Sequence, residues 1–253
     1  MILLLDIGNT NTHVGLANRD RVIRARAFPT SLIRAGEGDA ELRRWLGKIR
    51  PTGACLCSVV PAATSPAQER VRTLTGGEAL QLTPQTMTGV GIDYPRPETI
   101  GQDRLANAVA AQHFFGGPVV VVDFGTAVTF DVVDRRSNYV GGIIAPGLAA
   151  MTDYLHEKTA LLPRIRIREP RGIIGRNTEQ AMLVGAVRGY RGLVRGLIGE
   201  LRKELKNPRL PVVATGGYAA LVARHLPEIT QVRPNLTLEG LRLVWLARHA
   251  LSE

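Results

Sequence analysis

A short pattern occurs twice in this chain, and two copies of it leave few architectures open. Residues 2–16 read Ile-Leu-Leu-Leu-Asp-Ile-Gly-Asn-Thr-Asn-Thr-His-Val-Gly-Leu, and residues 119–133 read Val-Val-Val-Val-Asp-Phe-Gly-Thr-Ala-Val-Thr-Phe-Asp-Val-Val. Each copy is an apolar run of strand length, then Asp-x-Gly, then threonines, then a second apolar stretch. Asp6 and Asp123 lie 117 positions apart in a chain of 253. A repeat at that distance predicts two similar domains, each opening with strand, turn and strand. Gly116-Gly117-Pro118 punctuates the chain between the copies and divides it into residues 1–116 and 117–253.

Further short apolar or alternating runs predict strands over 21–28, 54–60, 139–144, 164–168 and 210–214. Helical spacing predicts helices over 38–49, 66–74, 104–115, 148–158, 178–205, 217–225 and 237–251. Such a mixture is α/β. In Arg164-Ile-Arg-Ile-Arg168 one face is Arg and the other Ile, which reads as a half-exposed strand.

The apolar fraction of 45% is ordinary for a folded domain. The apolar start, Met1 to Leu5, stops at Asp6, far short of the roughly 20 residues that cross a bilayer. It also lacks the basic opening and cleavage site of a secretory leader. A cytoplasmic protein with no membrane partner is expected. Cys55 and Cys57 share one face of a strand and fit neither a four-ligand metal site nor a C-x-x-C redox pair, so buried, reduced thiols are expected. The net charge of +10 comes mostly from arginines scattered from Arg19 to Arg248. No basic block interleaved with aromatics appears, so a solvated basic surface is expected rather than a nucleic-acid site.

The chemistry centres on the repeated turn. A carboxylate at the end of a buried strand is desolvated and needs a partner, and a Mg²⁺ ion held directly or through water is one solution. In Asp6-Ile-Gly-Asn-Thr10, Gly8 allows a tight turn and close approach to a ligand. Asn9, Thr10 and Thr12 offer donors for phosphate oxygens. One copy alone is an ordinary hairpin. A second, Asp123-Phe-Gly-Thr-Ala127, suggests two turns clamping a polyphosphate, with Thr126 as donor and Asp123 organising a cation. Val212-Val-Ala-Thr-Gly-Gly217 delivers a Gly pair into a helix start, where backbone N–H groups favour anions or polar ligand edges.

Gly101-Gln-Asp-Arg104 precedes a helix. Asp103 there can accept a proton and Arg104 can grip a carboxylate, although an Asp cap beside a surface Arg explains the same residues. Asn177 and Gln180 read as a capping box. Gly185, Gly189, Gly192, Gly196 and Gly199 form one helical stripe. It implies a backbone passing close by, within the fold or across a dimer interface. The five histidines, His13, His113, His156, His225 and His249, have no metal-ligand spacing. Neither Gly-x-Ser-x-Gly nor the Walker Gly-x-x-x-x-Gly-Lys motif is present.

Taken together, these motifs resemble the type III pantothenate kinase family along nearly the whole chain. The matching segments are Asp6-Ile-Gly-Asn-Thr10, Gly101-Gln-Asp-Arg104, Asp123-Phe-Gly-Thr-Ala127, Gly141-Gly-Ile-Ile-Ala-Pro-Gly147, Thr159-Ala-Leu-Leu-Pro163, Ile174-Gly-Arg-Asn-Thr178, Thr215-Gly-Gly217 and Pro234-Asn-Leu-Thr-Leu-Glu-Gly240. The resemblance implies two ribonuclease H-like domains of the actin/Hsp70/sugar-kinase type with a cleft between them, in a homodimer. It implies ATP-dependent phosphorylation of pantothenate to 4′-phosphopantothenate, the first step of coenzyme A synthesis, with Mg²⁺ and a monovalent cation, K⁺ or NH₄⁺. By that analogy Asp103 is the general base and Asp123 the K⁺ ligand; a helix-start carboxylate with an ordinary pKa suffices for that base, since little proton abstraction is needed early. Asp6, Ile7, Gly8, Asn9, Thr10, Asn11, Thr12 and His13 bind ATP with Thr126, and Asp6 also serves the metal. Tyr94, Gly101, Gln102, Asp103 and Arg104 contact pantothenate, joined by Thr178 of the partner subunit. Arg96 stands before Pro97 where the family often has Asn. A sugar or acetate kinase of the same architecture, or a non-catalytic regulator using the basic surface, are the alternatives.

Overall fold

The two apolar runs that open the repeat become central strands. In the computed structural model, which describes residues 1–250, β1 is Ile2–Ile7 and β7 is Val119–Phe124. Both are buried from end to end except at the aspartate. A strand with neighbours on both edges and cover on both faces needs such a continuous run rather than alternation.

Around β1 the chain adds β2 (Asn11–Ala17), β3 (Val22–Pro29), β4 (Gly53–Ser58) and β5 (Leu80–Gln81), in the sheet order β3-β2-β1-β4-β5. β1 and β2 pair antiparallel, as do β2 and β3, whereas β1–β4 and β4–β5 are parallel. Around β7 it adds β8 (Ala127–Val133), β9 (Asn138–Pro146), β10 (Val212–Thr215) and β11 (Gln231–Val232), in the order β9-β8-β7-β10-β11. The two orders are the same list of first, second, third, fourth and fifth strands. The sequence echo is therefore an echo of topology, as two ribonuclease H-like sheets require.

The chain forms two compact units that do not follow each other simply. The first comprises 1–117, 133–141 and 235–250, and the second 118–132 and 142–234. The short β6 (Gly91–Ile92) pairs in parallel with the start of β9, Gly91 opposite Asn138 and Ile92 opposite Tyr139, inside the first unit. Helix α9 (Leu236–Ala250), which a division at residue 116 would assign to the second half, packs in the first unit against α4 (Gln102–Phe115), β1 and β4. Its fit there is close. A Cβ on Gly240 would run into the Ala106 carbonyl, one on Gly53 would lie 2.6 Å from the Trp245 ring, and Thr237 donates to Asn107 Oδ1 at 2.8 Å in a buried pair.

Helices α1 (Thr30–Ala35), α2 (Asp39–Leu46) and α3 (Pro61–Thr75) complete the first unit. α3 starts at Pro61, five residues ahead of the expected start, because proline suits the first helical position. The second unit holds α5 (Leu148–Lys158), α6 (Thr178–Val184), a π turn at Gly185–Gly189, α7 (Tyr190–Glu204) and α8 (Ala219–Ala223).

One expectation is corrected here and another is narrowed. Residues 164–168 are not a strand, since no neighbouring strand pairs with them among the described residues. Ile165 and Ile167 instead pack in an apolar cluster with Met182, Leu183 and Val187. The alternation records one-sided burial on a helix. The five glycines of the long helix have no atom within 4 Å of where a Cβ would stand, so no backbone of the chain passes close to them.

Candidate active site

In the first unit β1 carries Asp6 to its C-terminal end, opposite His13 of β2 and Cys57 of β4. The Cys57 thiol donates to Asp6 Oδ1 at 3.4 Å. Complete burial, then the negative charges of Asp6 and Asp103, push the Cys57 pKa well up, so it stays a neutral donor to Asp6. Burial also pushes the Cys55 thiol up, and both cysteines are buried and free.

The turn after Asp6 closes with Gly8 N–H donating to the Asn11 carbonyl at 3.1 Å. A Cβ on Gly8 would sit 3.0 Å from that oxygen. Asn9, Thr10, Asn11 and His13 are exposed, whereas Ile7 and Thr12 are buried, following the alternation of a strand. The Thr12 hydroxyl is committed to Thr30 at 3.0 Å rather than presented outward. Desolvation lowers the His13 pKa although part of its ring is exposed, which favours the neutral imidazole at neutral pH.

Gly101 caps α4 and places Gln102, Asp103 and Arg104 in its first turn. Gln102 Oε1 accepts from the Ser58 N–H at 2.9 Å and from Gln81 Nε2 at 3.4 Å, which ties the helix start to the ends of β4 and β5. Asp103 Oδ1 accepts from the Arg104 N–H at 2.8 Å. Its carboxylate curls back so far that a Cβ on Gly101 would lie 2.6 Å from Oδ1. Desolvation raises the Asp103 pKa, outweighing the Arg104 N–H and guanidinium, which pull it down. The ordinary carboxylate pKa expected from the sequence is thereby corrected; burial of a helix start is invisible in a string of letters.

Tyr139 links the remaining residues. Its buried ring lies 5.8 Å from the Arg104 guanidinium and meets Tyr94 edge-on, with centroids 6.1 Å apart. Tyr94 is exposed and rests against Gly141, whose φ of 125° excludes most side chains. Tyr94 and Arg104 thus flank one aromatic support, with Asp103 next along the helix. Tyr139, Cys57 and Thr30 were not anticipated, because each acts through contacts with residues distant in sequence. The only available hint for Tyr139 was its position two residues before the Gly141-Gly142 pair.

In the second unit β7 carries Asp123 to its end, opposite Thr215 of β10. Gly216 has φ 90°, and a Cβ there would come 2.5 Å from Asp123 Oδ1 and 2.7 Å from Phe124 N. On the other side Gly147 N–H donates to the Thr126 carbonyl at 3.2 Å. The turn is held between two glycine-bearing segments, leaving Gly125, Thr126 and Gly217 exposed. Thr178 opens α6 on an exposed helix start. There Asn177 Oδ1 accepts from the Gln180 N–H at 2.9 Å, and Gln180 Oε1 accepts from the Arg176 N–H at 3.0 Å.

Two sheets of this order, each with an Asp-x-Gly turn at the end of its first strand, define the actin/Hsp70/sugar-kinase class of folds. Solved structures agree at the level of fold. A Baf family transcriptional activator from Campylobacter jejuni matches with a TM-score of 0.62 at 18% identity, covering 98% of this chain and 99% of its own. The Lmo2764 protein of Listeria monocytogenes matches at 0.53 and 12% identity, covering 98% and 99%. Within that class the chain belongs to the type III pantothenate kinase family. The family's model matches residues 2–200, and the type III pantothenate kinase of Akkermansia muciniphila is 46% identical over 241 residues, 95% of this chain and 96% of its own.

Proposed function

We propose that this protein is an ATP-dependent pantothenate kinase acting in the cytoplasm, and that Asp103 is its general base. One observation carries the assignment of the base: the half-buried Asp103 carboxyl, its pKa raised by desolvation, stands one residue from Arg104, which shares the Tyr139 ring with Tyr94. Arg104 grips the pantothenate carboxylate and Tyr94 packs along its chain, which leaves the primary hydroxyl to Asp103. That oxygen attacks the γ-phosphorus, the bond to the bridging oxygen of ADP breaks, and the hydroxyl proton passes to Asp103. Phosphoryl transfer has a loose transition state, so Asp103 mainly orients the hydroxyl and takes the proton late.

In the first unit the exposed residues of Asp6–His13 offer donors to the nucleotide, and in the second unit Thr126 offers one of its own. The oxygen-rich donors of the first turn, Asp6 with the Asn9 and Thr10 side chains, suit Mg²⁺, which takes one or two carboxylates beside phosphate oxygens. Asp123, on which a Cβ at Gly216 would intrude, suits the looser oxygen cradle of K⁺ or NH₄⁺. Bound there, such cations offset phosphate charge. Support for a homodimer comes from the exposed, open glycine stripe together with Leu161, Ile173 and Ile174, which are 90%, 71% and 80% exposed in the same unit. Thr178 of the partner completes the pantothenate site in that reading.

The test is ADP release with pantothenate, ATP and Mg²⁺, with and without K⁺, beside a panel of sugars and acetate. Turnover that requires pantothenate is expected. Turnover on a sugar or acetate but not on pantothenate would overturn the proposal.

A further inference from the structure

Thr30 stands where β3 ends and α1 begins, 3% exposed, and makes no capping bond for the helix it opens. Its bonds go to the first turn instead. Its N–H donates to the Thr10 carbonyl at 3.0 Å, its hydroxyl donates to the Gly8 carbonyl at 2.6 Å, and its oxygen lies 3.0 Å from the Thr12 hydroxyl. A carbonyl only accepts, so the single Thr30 hydroxyl proton belongs to Gly8. The Thr12 hydroxyl must then be the donor to Thr30. The three residues form a directed, buried relay, Thr12 to Thr30 to Gly8.

This relay sets the direction of the turn's other groups. In a planar trans peptide the carbonyl of one residue and the N–H of the next point opposite ways. Holding the Gly8 and Thr10 carbonyls toward Thr30 therefore aims the Asn9 and Asn11 N–H groups away from Thr30. Burying a hydroxyl is unfavourable unless it is bonded, and valine has the same shape, so packing alone gives no reason for threonine here.

Resting on the nucleotide-binding reading of this turn, we propose that Thr30 is a positioning residue for the ATP triphosphate. It acts by fixing the Gly8 and Thr10 carbonyls, and with them the Asn9 and Asn11 N–H groups, rather than by touching the nucleotide.

The test compares Thr30→Val, which keeps shape and loses the donor, with Thr30→Ser, which keeps the donor. KM for ATP and for pantothenate are measured separately, beside a thermal melt. Thr30→Val strands the Gly8 carbonyl and the Thr12 hydroxyl, and a rise of about tenfold in KM for ATP is expected, with KM for pantothenate within about twofold. Thr30→Ser is expected to restore KM for ATP to within about threefold of the parent protein. Should Thr30→Val not fold, Thr12→Val removes one link only and is expected to raise KM for ATP alone. A normal KM for ATP in Thr30→Val, or equal rises for both substrates, overturns the role of Thr30. Absence of ATP-dependent turnover in the parent protein overturns the kinase reading itself, so the two failures are distinguishable.

Discussion

Replacing Gly101 with alanine isolates the placement of the Asp103 carboxylate. Gly101 has φ −56° and ψ 132°, a backbone open to any residue, so alanine brings no strain of its own. Its Cβ would stand 3.6 Å from the Arg104 Cγ and Val59 Cγ1, ordinary contacts, but 2.6 Å from Asp103 Oδ1. Ordinary contact begins at 3.4 Å, so the carboxylate oxygen must retreat by about 0.8 Å. That oxygen is held by the Arg104 N–H at 2.8 Å, and a retreat of that size stretches or breaks the bond. A misplacement near 1 Å at a catalytic group costs about 10²-fold in rate, or roughly 2.7 kcal/mol of transition-state stabilisation. Coupled ADP release at saturating ATP and pantothenate should therefore show kcat down about 100-fold, with KM for ATP unchanged. The melting temperature should move by only a few degrees. A kcat within about threefold of the parent protein would refute the reasoning, since it would mean the carboxylate can stand elsewhere at no cost.

Other substitutions probe the neighbouring features. Asp103→Asn should lose about 10²–10⁴-fold in kcat while still binding ATP. Because burial raises the Asp103 pKa, its ionisation destabilises the fold; the penalty is absent below the unfolded pKa and grows as pH rises through the folded one. Asp103→Asn should accordingly melt higher than the parent at pH 8, with the gap closing on acidification, and a gap that widens on acidification would contradict the assigned burial. Gly216→Ala places a side chain at φ 90° against Asp123 and Phe124, so it should destabilise the fold by about 1–3 kcal/mol and blunt activation in a K⁺ titration. Gly196→Glu projects a charge from the open stripe and should convert the proposed dimer to monomer in sedimentation velocity at little cost to the fold of the subunit. An unchanged sedimentation coefficient would remove the stripe from the interface.

What the sequence made legible was whatever depends on local pattern. The Asp-x-Gly echo announced two sheets of one topology because a central strand, a tight turn and a returning strand are each written in consecutive residues. The start of α4 was legible for the same reason, as was the Asn177 cap. Residues 164–168 misled because an Ile face packed on a helix alternates just as a strand does. The glycine stripe gave the right periodicity, while which of two possible neighbours fills it depends on surfaces the chain does not itself supply. Thr12 looked like a phosphate donor because its hydroxyl is written beside the turn, whereas its direction is set by Thr30, a residue with no local reason to be noticed. The Asp103 pKa lay out of reach for a similar reason: desolvation is a property of everything packed around a group.

The return of α9 to the first sheet has a consequence for how the molecule is made. Trp245 lies over Gly53, and Gly240 seats against Ala106, so α9 covers β4, which ends at Ser58, and β1, which ends at Ile7, although it begins only at Leu236. During vectorial synthesis at about 5–20 residues per second, β1 and β4 wait at least several seconds for that cover. For that interval the part of the first sheet that α9 covers lacks this helix, while α4 is already available to pack on β4.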